Sequence, residues 1–134
     1  MKRSLAIPAV LILTGLCLLA WRRYGPCASL IEKRVAAIGP SRLEADFDAW
    51  EANRGQDEGT LALEELPGAI QALQPLRASL RRDGLYLVLK QRLDEDDGVF
   101  VAATTADAER KSSNDPVIQF HRLGPRVFRY HKCQ

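Results

Sequence analysis

A chain of 134 residues with 19 basic and 17 acidic side chains and three cysteines has room for one domain of modest size and little more. The net charge of +2 hides blocks of alternating sign: +5 over residues 1–34, −6 over 41–65, +4 over 76–92, −5 over 94–115 and +4 over 116–134. Such alternation argues for complementary surfaces within the fold and against one continuous basic footprint, so nucleic acid is not an expected partner.

Lys2 and Arg3 precede an apolar run from Leu5 to Trp21, broken only by Pro8, Thr14 and Gly15. Residues 1–24 therefore read as a signal or membrane-anchor segment, with the basic start and absent polar face that separate such a run from a buried core helix. Leu18 and Ala20 make a fair cleavage site, but Arg22-Arg23 disfavour easy translocation of the flank, which favours an uncleaved anchor. A lipidated Cys17 is disfavoured by Leu16, where a small residue is needed. The folded part is then a single domain over residues 27–134.

From Ala28 to Ile38 the residues Leu30, Ile31, Val35 and Ile38 recur at helical spacing, and Gly39-Pro40 stops the helix. Ser41 and Glu44 match a capping box for a second helix, in which Leu43, Phe47 and Trp50 share one face and Glu44, Asp48 and Glu51 the other. Gln56 to Gly59 reads as a polar linker and Thr60 to Leu63 as a short strand. A short helix follows over Leu66 to Leu73, ended by Pro75.

Leu76 to Leu89 predicts a β-hairpin with Asp83-Gly84 at the centre of a type I′ turn. That turn places Leu80 opposite Leu87 and Ala78 opposite Leu89. One face collects Leu76, Ala78, Leu80, Leu85, Leu87 and Leu89 and must be buried, while the face with Arg77, Ser79, Arg81, Tyr86, Val88 and Lys90 is left for water or a partner. Leu93 to Gly98, with four consecutive acids, reads as a solvated turn and does not match a calcium loop. Val99 to Ala102 is a third strand, Thr104 to Asp115 a long loop, and Val117 to His121 and Arg126 to His131 are two more strands joined at Gly124-Pro125. The expected fold is α+β: two or three short helices packed on an antiparallel sheet of four to five strands, with Leu43, Phe47 and Trp50 against the hairpin leucines.

Leu66-Pro67-Gly68-Ala69-Ile70-Gln71-Ala72-Leu73, the Asp-Gly hairpin and Gly98-Val99-Phe100-Val101-Ala102 together resemble a group of small uncharacterised bacterial proteins. The resemblance spans Leu66 to Ala102. It implies the order helix then hairpin and transfers no activity and no functional residue.

No constellation at catalytic spacing is present: there is no P-loop, no dinucleotide fingerprint and no glycine-framed serine. His121, His131 and Cys133 supply three nitrogen and sulfur donors, but no fourth lies at a zinc spacing, so neither metal nor cofactor is expected. With Cys17 inside the apolar run, Cys27 and Cys133 remain, one before the first helix and one after the last strand, and are expected to form a disulfide in an oxidising compartment. The expected function is that of a non-catalytic, envelope-exposed interaction or inhibitor-like module, tethered at the inner membrane or secreted to the periplasm. It would bind another envelope protein or a cell-wall component through Arg81, Tyr86, Arg126 and Arg129. The alternative is a small envelope hydrolase with His121 as general base beside the carboxylates of Asp94 to Asp97.

Overall fold

The computed structural model describes residues 14–15, 26–54, 57–111 and 117–133. The chain divides into a unit of residues 1–30 and a unit of residues 31–134. In the first, residues 14–15 and 26–30 are helical, and the remainder of the expected signal or anchor segment lies outside the described residues. No helix among the described residues is long and apolar enough to cross a membrane.

The architecture is α+β. Its helices are α1 (Pro26–Ile38), α2 (Pro40–Arg54), α3 (Gly68–Gln71) and α4 (Thr105–Lys111), with one 3-10 turn at Leu63–Glu65. The strands are β1 (Gly59–Leu61), β2 (Arg77–Arg81), β3 (Gly84–Arg92), β4 (Glu95–Ala102), β5 (Ile118–Arg122) and β6 (Val127–Cys133). They form one six-stranded antiparallel sheet in the order β1-β2-β3-β4-β6-β5, where four to five strands were expected.

Gly39 joins the first two helices. Its N–H donates to the Val35 carbonyl at 2.8 Å, closing α1, and its own carbonyl accepts from Leu43 at 3.2 Å, opening α2 with Pro40 at the first helical position. Ser41 is therefore inside α2 and is not its cap. Glu44, released from that role, accepts from the Arg126 backbone N–H at 2.7 Å. Leu43 and Phe47 are fully buried and Trp50 packs at the margin, where its indole N–H donates to the Glu65 carbonyl at 2.8 Å.

The hairpin pairs two residues away from the expected register: Leu80 faces Leu85, Ala78 faces Leu87, and Arg81 faces Gly84. The turn is Arg82-Asp83, and the positive φ falls on Gly84 (+149°), the first residue of β3. A side chain there would also collide with the neighbouring strand, since an added Cβ would lie 2.8 Å from the Phe100 ring and 3.0 Å from the Ala102 Cα. A slide of two keeps every side chain on its own face, because the strand period is two. Ala78, Leu80, Leu85, Leu87 and Leu89 accordingly line the main core with Ile31, Val35, Leu43, Phe47, Ile70 and Leu73 from the helices. Leu76 lies outside β2 and is exposed.

The other side of the sheet also differs from expectation. Tyr86 and Val88 are buried, and Tyr86 joins Phe100, Phe128 and Tyr130 in a second, aromatic cluster under Ala108 of α4. Tyr86 and Phe100 are 4.5 Å apart, Phe100 and Phe128 6.0 Å, and Phe100 and Phe120 5.7 Å edge to face. Each ring comes from a cross-strand pair, Tyr86 with Phe100, Phe100 with Phe128 and Phe120 with Tyr130. α4 replaces the first part of the expected loop. Thr104 caps it, accepting from the Asp107 N–H at 3.1 Å while its hydroxyl donates to the Asp107 carboxylate at 2.7 Å.

The acidic run is also strand and not turn. Only Leu93-Asp94 turns the chain, while Glu95, Asp96 and Asp97 extend β4 between basic neighbours: Arg92 faces Glu95, Lys90 faces Asp97 and Lys132 faces Asp96. Here the alternating charge blocks meet, as the sequence implied.

Candidate functional site

Two of the singled-out arginines and His121 are held on the helix-bearing face. Arg129 approaches Glu32 of α1 at 3.4 Å, and Arg126 donates to Asp48 of α2 at 2.6 Å. His121 on β5 lies beside the same Glu32 at 3.9 Å. It does not meet the acidic run of β4. The histidine that does is His131, whose Nδ1 is 2.6 Å from Asp97 Oδ1.

Arg81 and Tyr86 stand on the opposite, aromatic face, where the Arg81 guanidinium lies 5.0 Å over the Tyr86 ring. The structure thus separates the expected binding set into two pairs. Arg81 opens onto a cleft of about 860 Å³ at the hairpin tip, lined among others by Glu58, Ser79, Arg82, Asp83, Asp107 and Arg110. β1 and β2 floor this cleft and α4 walls it, because α4 is too short to cover the sheet as far as its β1 edge.

The wall is built on a three-membered network. The Tyr86 hydroxyl donates to Asp83 Oδ2 at 2.7 Å, and Lys111 Nζ reaches the same oxygen at 2.8 Å. Lys111 also sits 5.4 Å from the Phe120 ring centre and 5.7 Å from that of Phe100. Burial works against the Asp83 carboxylate, but hydrogen bonds from Lys111 and Tyr86 outweigh it and hold its pKa below the ordinary 3.8. Burial and the bond to Asp83 push the Tyr86 hydroxyl up to about 12. For Lys111, burial opposes the charge and the bond to Asp83 outweighs it, raising the pKa above 10.5.

These directions set a pH profile. Asp83 binds its proton less tightly folded than unfolded, so its contribution is present above about pH 4 and is lost as the pH falls through the lower, folded value. Tyr86 and Lys111 are raised, so their contributions are full below about pH 10 and fade as the pH climbs through their folded values. Asp83→Asn should therefore lower the urea midpoint most between about pH 5 and pH 9, with the gap to wild type narrowing toward about pH 2. A gap that is the same at every pH would show that Asp83 is not held in this network.

On the helix-bearing face, the far ends of β4 and β6 set His131 and Cys133, the donors the sequence grouped with His121, beside Glu95 and Asp97 instead. Glu95 pairs with Cys133 and Asp97 with His131. One ligand atom from each of Glu95, His131 and Cys133 lies within 4.8 Å of the others. The signal was present as Glu95-x-Asp97 and His131-x-Cys133, alternate positions that share a strand face, but it becomes a site only once β4 and β6 are neighbours. Cys133 is a free, exposed thiol, and the side chain of its expected partner, Cys27, lies outside the described residues.

No protein-family model, no curated protein and no solved structure matches the chain.

Proposed function

We propose that the chain is a non-catalytic binding module of the cell envelope, brought there by residues 1–24 as anchor or signal. Its cleft at the hairpin tip would take a carboxylate-bearing surface of another envelope protein or of a cell-wall component. The observation that carries this reading is the Arg81 guanidinium stacked on Tyr86 at 5.0 Å and opening onto the cleft. Stacking on a ring that is itself tied to Asp83 restricts the guanidinium before any partner arrives, which reduces the ordering cost of binding. An arginine fork matches a carboxylate with two parallel hydrogen bonds.

Arg82 and Arg110 add to the same wall. Their side chains are 97% and 74% exposed: Arg82 meets Glu58 at 3.9 Å, an exposed pair that a better-placed acid can replace, while Arg110 is anchored by Asp107 at 2.8 Å and by the Ala106 carbonyl at 3.4 Å and keeps most of its surface open. Arg126 and Arg129, engaged by helix carboxylates, are left out of the proposed interface.

Pull-down from envelope extract tests the reading. The Arg81→Glu/Arg110→Glu protein should lose partners that the wild type and an Arg129→Glu control retain. Retention of every partner by the cleft variant would remove the cleft from consideration.

A further inference from the structure

We propose that Glu95, His131 and Cys133 form a binding site for a zinc-class divalent metal ion, with Asp97 as the outer carboxylate that orients the histidine. The site stands on the helix-bearing face and shares no residue with the cleft, so it holds or fails independently of the function proposed above.

The sheet register builds it. Antiparallel pairing sets Glu95 opposite Cys133 and Asp97 opposite His131, and the period of two points all four side chains to the same face. Along β4 and β6 this face passes from the fully buried Val99, Val101 and Val127 to the partly buried Glu95, Asp97 and His131 and the exposed Cys133. The patch therefore lies at the margin of the core, on rigid strands yet open to solvent.

The distances favour a metal over a simple charge cluster. His131 Nδ1 is 2.6 Å from Asp97 Oδ1, so Nδ1–H donates a hydrogen bond to the carboxylate and the Nε2 lone pair is left to a ligand, the carboxylate–histidine arrangement common behind bound zinc. Nε2 lies 3.5 Å from Cys133 Sγ. Zinc bonds of about 2.3 Å to sulfur and about 2.05 Å to nitrogen at a tetrahedral angle require a separation of about 3.6 Å. Glu95 Oε1 is 4.0 Å from Nε2, where the same geometry asks for about 3.4 Å, and its side chain, 41% exposed, has freedom to close the difference. One nitrogen, one thiolate and one carboxylate suit zinc or cobalt(II) and do not suit calcium or magnesium, which take oxygen donors. Three protein ligands leave a fourth position to water or to an external donor.

The site needs Cys133 as a thiolate, so it competes with a Cys27–Cys133 bridge for the same sulfur. Binding displaces the thiol proton, which ties affinity to pH.

The test uses the full-length chain, stripped with chelator, in its wild-type form and in a Cys17→Ser/Cys27→Ser form whose only thiol is Cys133. Cobalt(II) should release the thiol proton on binding and give a sulfur-to-cobalt charge-transfer band and the intense visible bands of four-coordinate cobalt at one equivalent in both, and zinc should then displace it with no further proton released. Cys133→Ser should abolish the charge-transfer band, His131→Ala and Glu95→Gln should weaken binding, and Asp97→Asn should keep the band while lowering affinity by about 10–100-fold. Circular dichroism on each variant checks that the fold is intact. Should a variant fail to fold, the band of the single-thiol protein and its stoichiometry still decide. Absence of the band in the reduced single-thiol protein, a band unchanged by His131→Ala, or thiol counting that finds Cys133 bridged to Cys27 in the native protein would each overturn the proposal.

Discussion

Gly98→Ala is expected to abolish most of the stability of the domain. Gly98 sits in β4 opposite Val88 on one side and Tyr130 on the other, next to the register shift between Val88 and Lys90. A methyl group added there would be driven into the Leu87 carbonyl oxygen, and would lie 2.9 Å from the Leu87 carbonyl carbon and 2.9 Å from Cε1 of Tyr130. The first obstacle is backbone, in a strand paired on both sides, so no rotamer change relieves it. Ordinary overpacking costs about 1–3 kcal/mol with side chains able to yield, and here the ladder itself must move. Against a total of about 5–15 kcal/mol, a loss well above 3 kcal/mol leaves the domain marginal or unfolded. Urea denaturation followed by far-ultraviolet circular dichroism measures it. A midpoint within experimental error of wild type would mean that β3 does not approach β4 as described.

Leu87→Asp should be nearly as damaging, for a different reason. Leu87 is fully buried, and its neighbours across the core are the apolar side chains of the helices. A carboxylate there finds no cation, so it must stay charged at a cost of several kcal/mol or take up a proton that it binds only weakly in water. The cavity left by the shorter side chain adds to the loss. Leu87→Asn separates the two effects, since it removes the charge and keeps the cavity and the polar burial. It should fall between wild type and Leu87→Asp in thermal midpoint at pH 7. Raising the acidity should narrow the gap between the two variants as the introduced carboxylate is protonated. Equal midpoints for Leu87→Asp and wild type would place Leu87 on the solvent side of β3.

Much of the main core was legible before any strand was paired. Leu43 and Phe47 announced themselves by helical spacing, and the hairpin leucines by alternation, and the two sets do meet. The wrong turn position did no harm to this reading, because the observed slide between β2 and β3 is two residues and leaves the faces unchanged. The aromatic side was legible only in part. Phe128 and Tyr130 alternate along β6 as a core-facing pair does, and both are buried, but Tyr86, Phe100 and Phe120 come from three other strands, and each of these taken alone is one ring on a mixed face. α4 escaped notice because its residues are mostly polar and only Ala108 is buried, although Thr104 and Asp107 carried the capping signature.

The candidate sites divide in the same way. Arg81 and Tyr86 were named from their shared hairpin face, a local relation, and the structure keeps them in contact. Arg126 and Arg129 were grouped with them by charge, and the long-range contacts with Glu44, Asp48 and Glu32 draw them to the other side of the sheet.

What the sequence determined by itself is what depends on periods of two and 3.6: the extended or helical character of most segments, and which side chains share a face. The tertiary structure alone decided what depends on which strands become neighbours. That β4 lies between β3 and β6 turns a run of acids into paired strand, assembles the rings into a cluster, and brings Glu95 and Asp97 against Cys133 and His131. The physical reason is that side-chain periodicity acts over a few residues. Strand order is settled by the simultaneous burial of both sheet faces and the cancellation of charge between strands distant in the chain.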